Sequence, residues 1–278
     1  MSRPASHRLP LAALAAGCAI ALGACGGGGD SSSSASSSST ASVPAPPRPK
    51  QPLSAEIKPW NAALAAKSCE REAPFMFSII RGAPPGSPAK SSECANGLAP
   101  GPPPGNVHFT QAAEYGTGGL MEGPAGGNPP LTGFAAWALD GDGRYHYTGV
   151  YGQNTHHEIG TDPRPGNDGQ ATADAFVSAV RDGDCAALKK TLSAGGRLVK
   201  GVDGACKVVL GGAFFAPAVK KSPDAKPVQL GLTQDFGFYG VAAGGDYFTI
   251  VMDDDRTRPR LTVLDVLPAT PVKLPPQG

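Results

Sequence analysis

Hydrophobic and polar positions divide the chain into unlike stretches. Leu9–Ala24 carries no charge and is rich in Leu and Ala. From Gly26 to Pro52 apolar side chains almost vanish: Gly26–Gly29 leads to Ser31–Thr40 and then to a Pro-rich end. Beyond that point periodic patterns begin. Apolar residues four apart, Trp60/Leu64 and Phe176/Val180, predict two helices. Each is followed by a residue able to accept from free amides and then a cysteine, Ser68-Cys69 and Asp184-Cys185, so each predicts a capped second helix. Gln229–Asp235, Asp246–Met252 and Arg260–Leu267 are rich in β-branched, aromatic and other apolar residues and predict strands. Asp140–Gly143 and Asp253–Arg256 read as hairpin turns. Tyr145, Tyr147 and Tyr151 alternate with His146 on a further strand, which gives that strand one aromatic face.

Self-comparison shows an internal repeat. Trp60–Cys69 lies over Phe176–Cys185, Phe109-Thr110-Gln111 over Leu232-Thr233-Gln234, and Phe134–Asp140 over Tyr247–Asp253 without a gap. Each half therefore reads as helix, Cys, loop, Cys, then several strands. The order predicts an α+β chain of two tandem domains, each a helix-plus-curved-antiparallel-sheet unit. The halves span residues 54–159 and 171–270, joined by a linker at 160–170 and followed by a tail at 271–278. Arg81–Asn106 is a Pro/Gly-rich excursion in the first half. Four cysteines allow three connectivities, and spacing does not choose among them. The repeat favours Cys69–Cys94 and Cys185–Cys206, each closing a loop that contributes ~3–4 kcal/mol in the chain-entropy model.

The amino-terminal end of the pattern points to an exported protein. Arg3 and Arg8 precede the apolar run, which has signal-peptide length. It ends in Leu22-Gly23-Ala24-Cys25, which resembles the lipobox of bacterial lipoproteins. The resemblance implies a signal peptide at 1–24, cleavage before Cys25 and acylation of its thiol and new amino terminus. Several acyl chains matter because each buried CH₂ contributes ~0.8 kcal/mol and a single chain binds a membrane only marginally. Leu14–Cys18 is a competing match, but it would leave the apolar stretch 19–24 on the mature chain. Residues 25–53 then form a disordered Gly/Ser/Pro tether with too little apolar surface to offset the entropy of ordering.

Composition narrows the partners. Lys and Arg number 24 against 23 Asp and Glu, and no basic patch stands out, so nucleic acid is not an expected partner. An oxidising location suits the four body cysteines. No Cys-x-x-Cys, Gly-x-Ser-x-Gly, His-Glu-x-x-His or phosphate loop occurs, and no cofactor is expected. Asp140-Gly-Asp-Gly-Arg144 lacks the twelfth-position acid of a calcium loop, since position 151 is Tyr. His156-His157-Glu158 offers metal- or proton-binding groups, but no third ligand is spaced nearby. Tyr145, Tyr147 and Asp265 are candidate pocket residues. Asp265 interrupts the apolar run Leu261–Leu267 and would share a face with Leu261, Val263 and Leu267.

"ADAFVSAVRDGDCAALKKTLS" followed by "DYFTIVMDDD" and "RLTVLDVL" resembles exported members of the nuclear-transport-factor-2-like, or cystatin-like, superfamily. The resemblance covers residues 172–267 and, in degenerate form, the first half. It implies a cone-shaped sheet wrapped around a helix. Together these features lead us to expect a lipid-anchored extracytoplasmic protein, at the cell membrane or outer membrane, that acts as a non-catalytic binding or envelope-associated module. Its expected partners are the membrane and either a small hydrophobic ligand or an envelope protein. The alternatives are an isomerase- or cyclase-like enzyme using a cone pocket, and a secreted protein without lipid.

Overall fold

Trp60, Ala63 and Leu64 turn inward from helix α1 (Ile57–Ala66) and set the first core. In this computed structural model, which describes residues 45–78, 86–96, 102–103, 106–160, 169–193, 202–254 and 261–270, both halves repeat one plan. The first adds the short helices α2 (Cys69–Glu72) and α3 (Ser91–Ala95), then strands β1 (Gln111–Tyr115), β2 (Gly118–Gly126), β3 (Leu131–Leu139) and β4 (Tyr145–Asn154). The second has helices α4 (Gly169–Asp182), α5 (Cys185–Thr191), α6 (Val202–Leu210) and α7 (Phe215–Lys220), then strands β5 (Pro227–Leu232), β6 (Phe236–Ala243), β7 (Asp246–Asp254) and β8 (Leu261–Pro268). Among the described residues these strands form two four-stranded antiparallel sheets in sequential order. The chain is α+β, as the order of its patterns implies.

Strand alternation explains the layering. Along β3, Ala135, Trp137 and Leu139 face the helices of their own half, while Phe134, Ala136 and Ala138 face the other way. Along β6 and β7, Tyr239, Val241, Phe248, Ile250 and Met252 pack with Phe176, Val180 and Leu188 of α4 and α5. Phe236, Phe238 and Val251 point to the opposite face, where they join Leu120, Phe134, Ala136 and Ala138 of the first sheet in one cluster. The order is thus helices, sheet, sheet, helices, and each sheet is covered on both faces. Such strands read as nearly continuous apolar runs.

The two sheets approach closely where the side chains are smallest. A Cβ on Gly118 would sit 2.3 Å from Phe238 Cδ1, so that position admits only glycine. Tyr115 stacks on Phe238 with ring centroids 5.4 Å apart. Thr117 and Thr249, both fully buried, share a hydrogen bond of 2.5 Å between their hydroxyls across the same seam.

Both expected cysteine pairings are present. Cys69 and Cys94 tie α2 to α3 with Cα atoms 5.3 Å apart, and Cys185 and Cys206 tie α5 to α6 at 5.4 Å. Asp184 caps α5 by accepting from the amides of Ala186 and Ala187 at 2.9 and 3.0 Å. Ser68 makes no side-chain cap bond, so the two halves differ there.

Other boundaries shift. Leu53 is fully buried against Trp60's cluster, and the Lys50 amide donates to the Gly143 carbonyl at 2.8 Å, so the body starts before residue 54. Phe109–Gln111 leads into β1, whereas Leu232–Gln234 leaves β5, so that pair of segments is not equivalent. Gln229–Asp235 is strand only to Leu232, and Thr233 and Asp235 frame the turn into β6. The leader, Cys25 and the rest of 1–44, most of the linker (161–168) and the tail lie outside the described residues, as do Asp255 and Arg256 of the second expected turn.

Phe238→Ala should cost ~3–5 kcal/mol, the usual range for emptying a buried aromatic site. Both tryptophans lie in the first half and Phe238 in the second. A urea titration of this variant should therefore shift the midpoint read by tryptophan fluorescence as far as that read by far-ultraviolet circular dichroism; an unmoved fluorescence midpoint would separate the halves.

Candidate functional site

The predicted pocket residues are built into the core. Tyr145 and Tyr147 are almost fully buried, Tyr147 among Trp60 and Trp137 with centroids 5.7 and 6.1 Å away. The Tyr145 hydroxyl donates to the Gly116 carbonyl at 3.2 Å. Burial, with the nearby Glu114 charge, pushes this phenol well above its ordinary range. Tyr151, by contrast, lines a surface cleft, beyond a β-bulge that sets Ala135 opposite Tyr151 and Trp137 opposite Tyr147.

Asp265 does not share a face with Leu261 and Val263. A bulge in β8 places Asp265 opposite Val251 and Val263 opposite Met252, skipping Leu264. Leu261 and Val263 pack with the α4 cluster, while Val251 and Leu267 belong to the inter-sheet cluster. Asp265 therefore turns to the seam side, and its carboxylate accepts from the Val266 amide at 2.9 Å.

The Asp140–Arg144 segment is a turn closed by its own donors. Asp140 Oδ1 accepts from the amides of Asp142 and Arg144, both at 2.9 Å, and Oδ2 meets His146 Nε2 at 2.8 Å. Gly143 takes a φ of 77°, where a side chain would be strained. Burial alone would raise the Asp140 carboxyl; the His146 contact and the two amides outweigh it and hold the group below its ordinary value.

The residues that the fold does bring together lie at one end of the seam. β4 ends in Asn154, and the chain then turns through His156, His157 and Glu158. The turn is pinned from β2: Glu122 Oε2 accepts from the amides of Glu158 and Ile159, both at 3.1 Å, and Oε1 lies 3.2 Å from His157 Nδ1. From the second half, Asp235 enters on the turn between β5 and β6. Its amide donates to Glu158 Oε2 at 3.0 Å. Asn154 Nδ2 donates to Glu158 Oε1 at 3.1 Å and to Asp235 Oδ2 at 2.9 Å. His156 Nε2 lies 2.7 Å from Glu158 Oε1 and 3.9 Å from Asp235 Oδ2.

Glu158 is fully buried. Burial first, and then the charge of Asp235, push its carboxyl above the usual carboxylate range. The cluster adjoins a cleft of about 290 Å³ lined by Tyr151, Gln153, Asn154, Asp235, Asp253 and Asp254, together with Phe134 and Phe236. One imidazole and two carboxylates offer hydrogen-bonding, proton-holding or metal-ligating chemistry. His156 and Glu158 stand out in the sequence; their third partner lies 77 positions away, beyond the reach of local spacing.

No protein-family model and no curated protein sequence matches the chain. A solved structure described as an "Ntf2 like protein involved in plasmid conjugation" aligns over 61% of this chain and 78% of that one, at 11% identity and a TM-score of 0.21. A likeness at that score adds nothing to the fold, which stands on its own topology.

Two outcomes check this geometry. Glu122→Ala should leave the Glu158 and Ile159 amides without an acceptor, at ~1–3 kcal/mol for each buried donor; hydrogen exchange at both amides should then accelerate at least tenfold (~1.4 kcal/mol), and unchanged exchange would refute the pinning. The Asp140 carboxyl is held low, so its stabilisation is complete above its unfolded value of about 4 and fades as pH falls toward the folded value. Denaturation of Asp140→Asn beside the parent should show a stability gap that is widest near neutrality and closes in acid.

Proposed function

We propose that the chain is a lipid-anchored extracytoplasmic protein whose body is a non-catalytic binding or envelope-associated module built from two nuclear-transport-factor-2-like domains. The observation that carries this reading is the occupation of both faces of each sheet. One face holds its own helices and the other holds the second sheet. The space that a cone-pocket enzyme of this superfamily would use for substrate is filled by residues such as Trp137, Tyr147, Phe248 and Ile250. Among the described residues, surfaces open to a partner include the polar cleft at the end of the seam and the outer strands β1 and β5, whose Gln111, Glu114, Val228 and Gln229 are exposed.

The anchor half of the reading rests on Leu22–Cys25 and the Gly/Ser/Pro stretch that follows it. A tether of that composition holds a folded body clear of a membrane surface. The alternative of a small-molecule enzyme gains no support from Tyr145, Tyr147 or Asp265, which are engaged in packing and backbone hydrogen bonds.

Growth of an expressing bacterium with labelled palmitate should mark the full-length product and send it to the membrane fraction. Cys25→Ala should abolish the label and release or strand the protein as an unprocessed precursor, whereas Cys18→Ala should leave the label in place. Equal labelling of the parent and the Cys25→Ala protein would contradict the assignment.

A further inference from the structure

We propose that His156, Glu158 and Asp235, joined by the side-chain oxygen of Asn154, form a site for a single divalent transition ion of the zinc class, clamping the two halves at the end of their seam. The His156, Glu158 and Asp235 ligand atoms all lie within 4.8 Å of one another. One imidazole nitrogen and two carboxylate oxygens form a donor set that suits zinc and its neighbours better than calcium, which prefers six or more oxygens.

The separations fit four-coordination. An ion about 2.1 Å from each of four tetrahedral donors sets those donors about 3.4 Å apart. The amide group of Asn154 completes such a figure: Nδ2 lies 3.1 Å from His156 Nε2, 3.1 Å from Glu158 Oε1 and 2.9 Å from Asp235 Oδ2. The remaining measured edges are 2.7 Å and 3.9 Å. Four polar groups thus converge on one volume, where the Asn154 amide nitrogen donates to two carboxylates and lies beside an imidazole nitrogen.

A half-turn of the Asn154 amide exchanges Nδ2 for Oδ1 and supplies the fourth donor, a third oxygen. It sacrifices the bond that Oδ1 now accepts from the His156 amide at 3.1 Å. The cation replaces that bond with attraction to two carboxylates.

Access and support are in place. The cleft reaches Asn154 and Asp235, and the His156 side chain is 36% exposed, so an ion enters from solvent without opening the core. Behind the ligands, Glu122 fixes the Glu158 backbone and the Asp235 amide holds Glu158 Oε2, the outer contacts that orient metal ligands. Three ligands precede the linker and one follows β5, so the ion crosslinks the halves.

The test uses the full chain without an affinity tag, purified in detergent, stripped with EDTA and dialysed. Calorimetric titration with Zn²⁺ should show one ion per chain and raise the thermal midpoint, and Co²⁺ should give the intense visible bands of a tetrahedral site. His156→Ala and Asp235→Asn should each weaken Zn²⁺ binding at least about 100-fold, while Asn154→Asp, which supplies a carboxylate oxygen in the same place, should retain it. His108→Ala should leave it unchanged. Circular dichroism checks each fold; His156 is exposed enough that its variant carries the test should Asp235→Asn fail to fold. No Zn²⁺ uptake by the stripped protein, or parent-like uptake by folded His156→Ala, would overturn the proposal.

Discussion

The contact between the two sheets is the constraint on which the remaining architecture depends. Each half has a four-stranded sheet with apolar side chains on both faces, and its own helices cover only one of them. The second face, with Leu120, Phe134, Phe236, Phe238 and Val251, is satisfied by the other half. Burying a single side chain of this kind contributes ~1.5–3 kcal/mol, so a sheet left uncovered would expose a patch that soluble domains rarely tolerate. The glycine at 118 and the threonine pair at 117 and 249 follow from that contact: one gives Phe238 room, and the other satisfies two hydroxyls where water is excluded.

The polar cluster is a consequence of the same geometry. Once the sheets are stacked, the end of β4 and the turn before β6 meet. Each carries groups that need partners: Glu158 and Asn154 on one side, Asp235 on the other. A carboxyl as deeply buried as Glu158 is tolerated because amide donors and an imidazole surround it. The seam thus changes from apolar at its centre to hydrogen-bonded at its rim.

Much of the fold was legible in the chain. The four-residue periodicity at Trp60 and Phe176 and the cap at Asp184 were legible locally, and the cysteine pairing followed from the repeat. β6 was missed because Phe236–Ala243, with two glycines and a loop-like start, reads as turn; its glycines are close-approach points, Gly240 beneath Tyr247 among them. Short-range patterns also failed at the bulges. Alternation placed Asp265 beside Leu261 and Val263, and one extra residue in β8 turned it over. Tyr145 and Tyr147 were legible as one face but not as a packed face, because their covering helix comes from far upstream. The site was half legible: His156 and Glu158 are two residues apart in sequence, but Asp235 joins them only through the stacking of the sheets.

If the seam binds the halves into one cooperative body, scanning calorimetry of the oxidised, metal-free chain is the most direct examination of it. The account predicts a single endotherm whose calorimetric and van't Hoff enthalpies agree. Two resolved transitions, or a calorimetric enthalpy near twice the van't Hoff value, would mean that each half folds alone and that the shared core does not hold the molecule together.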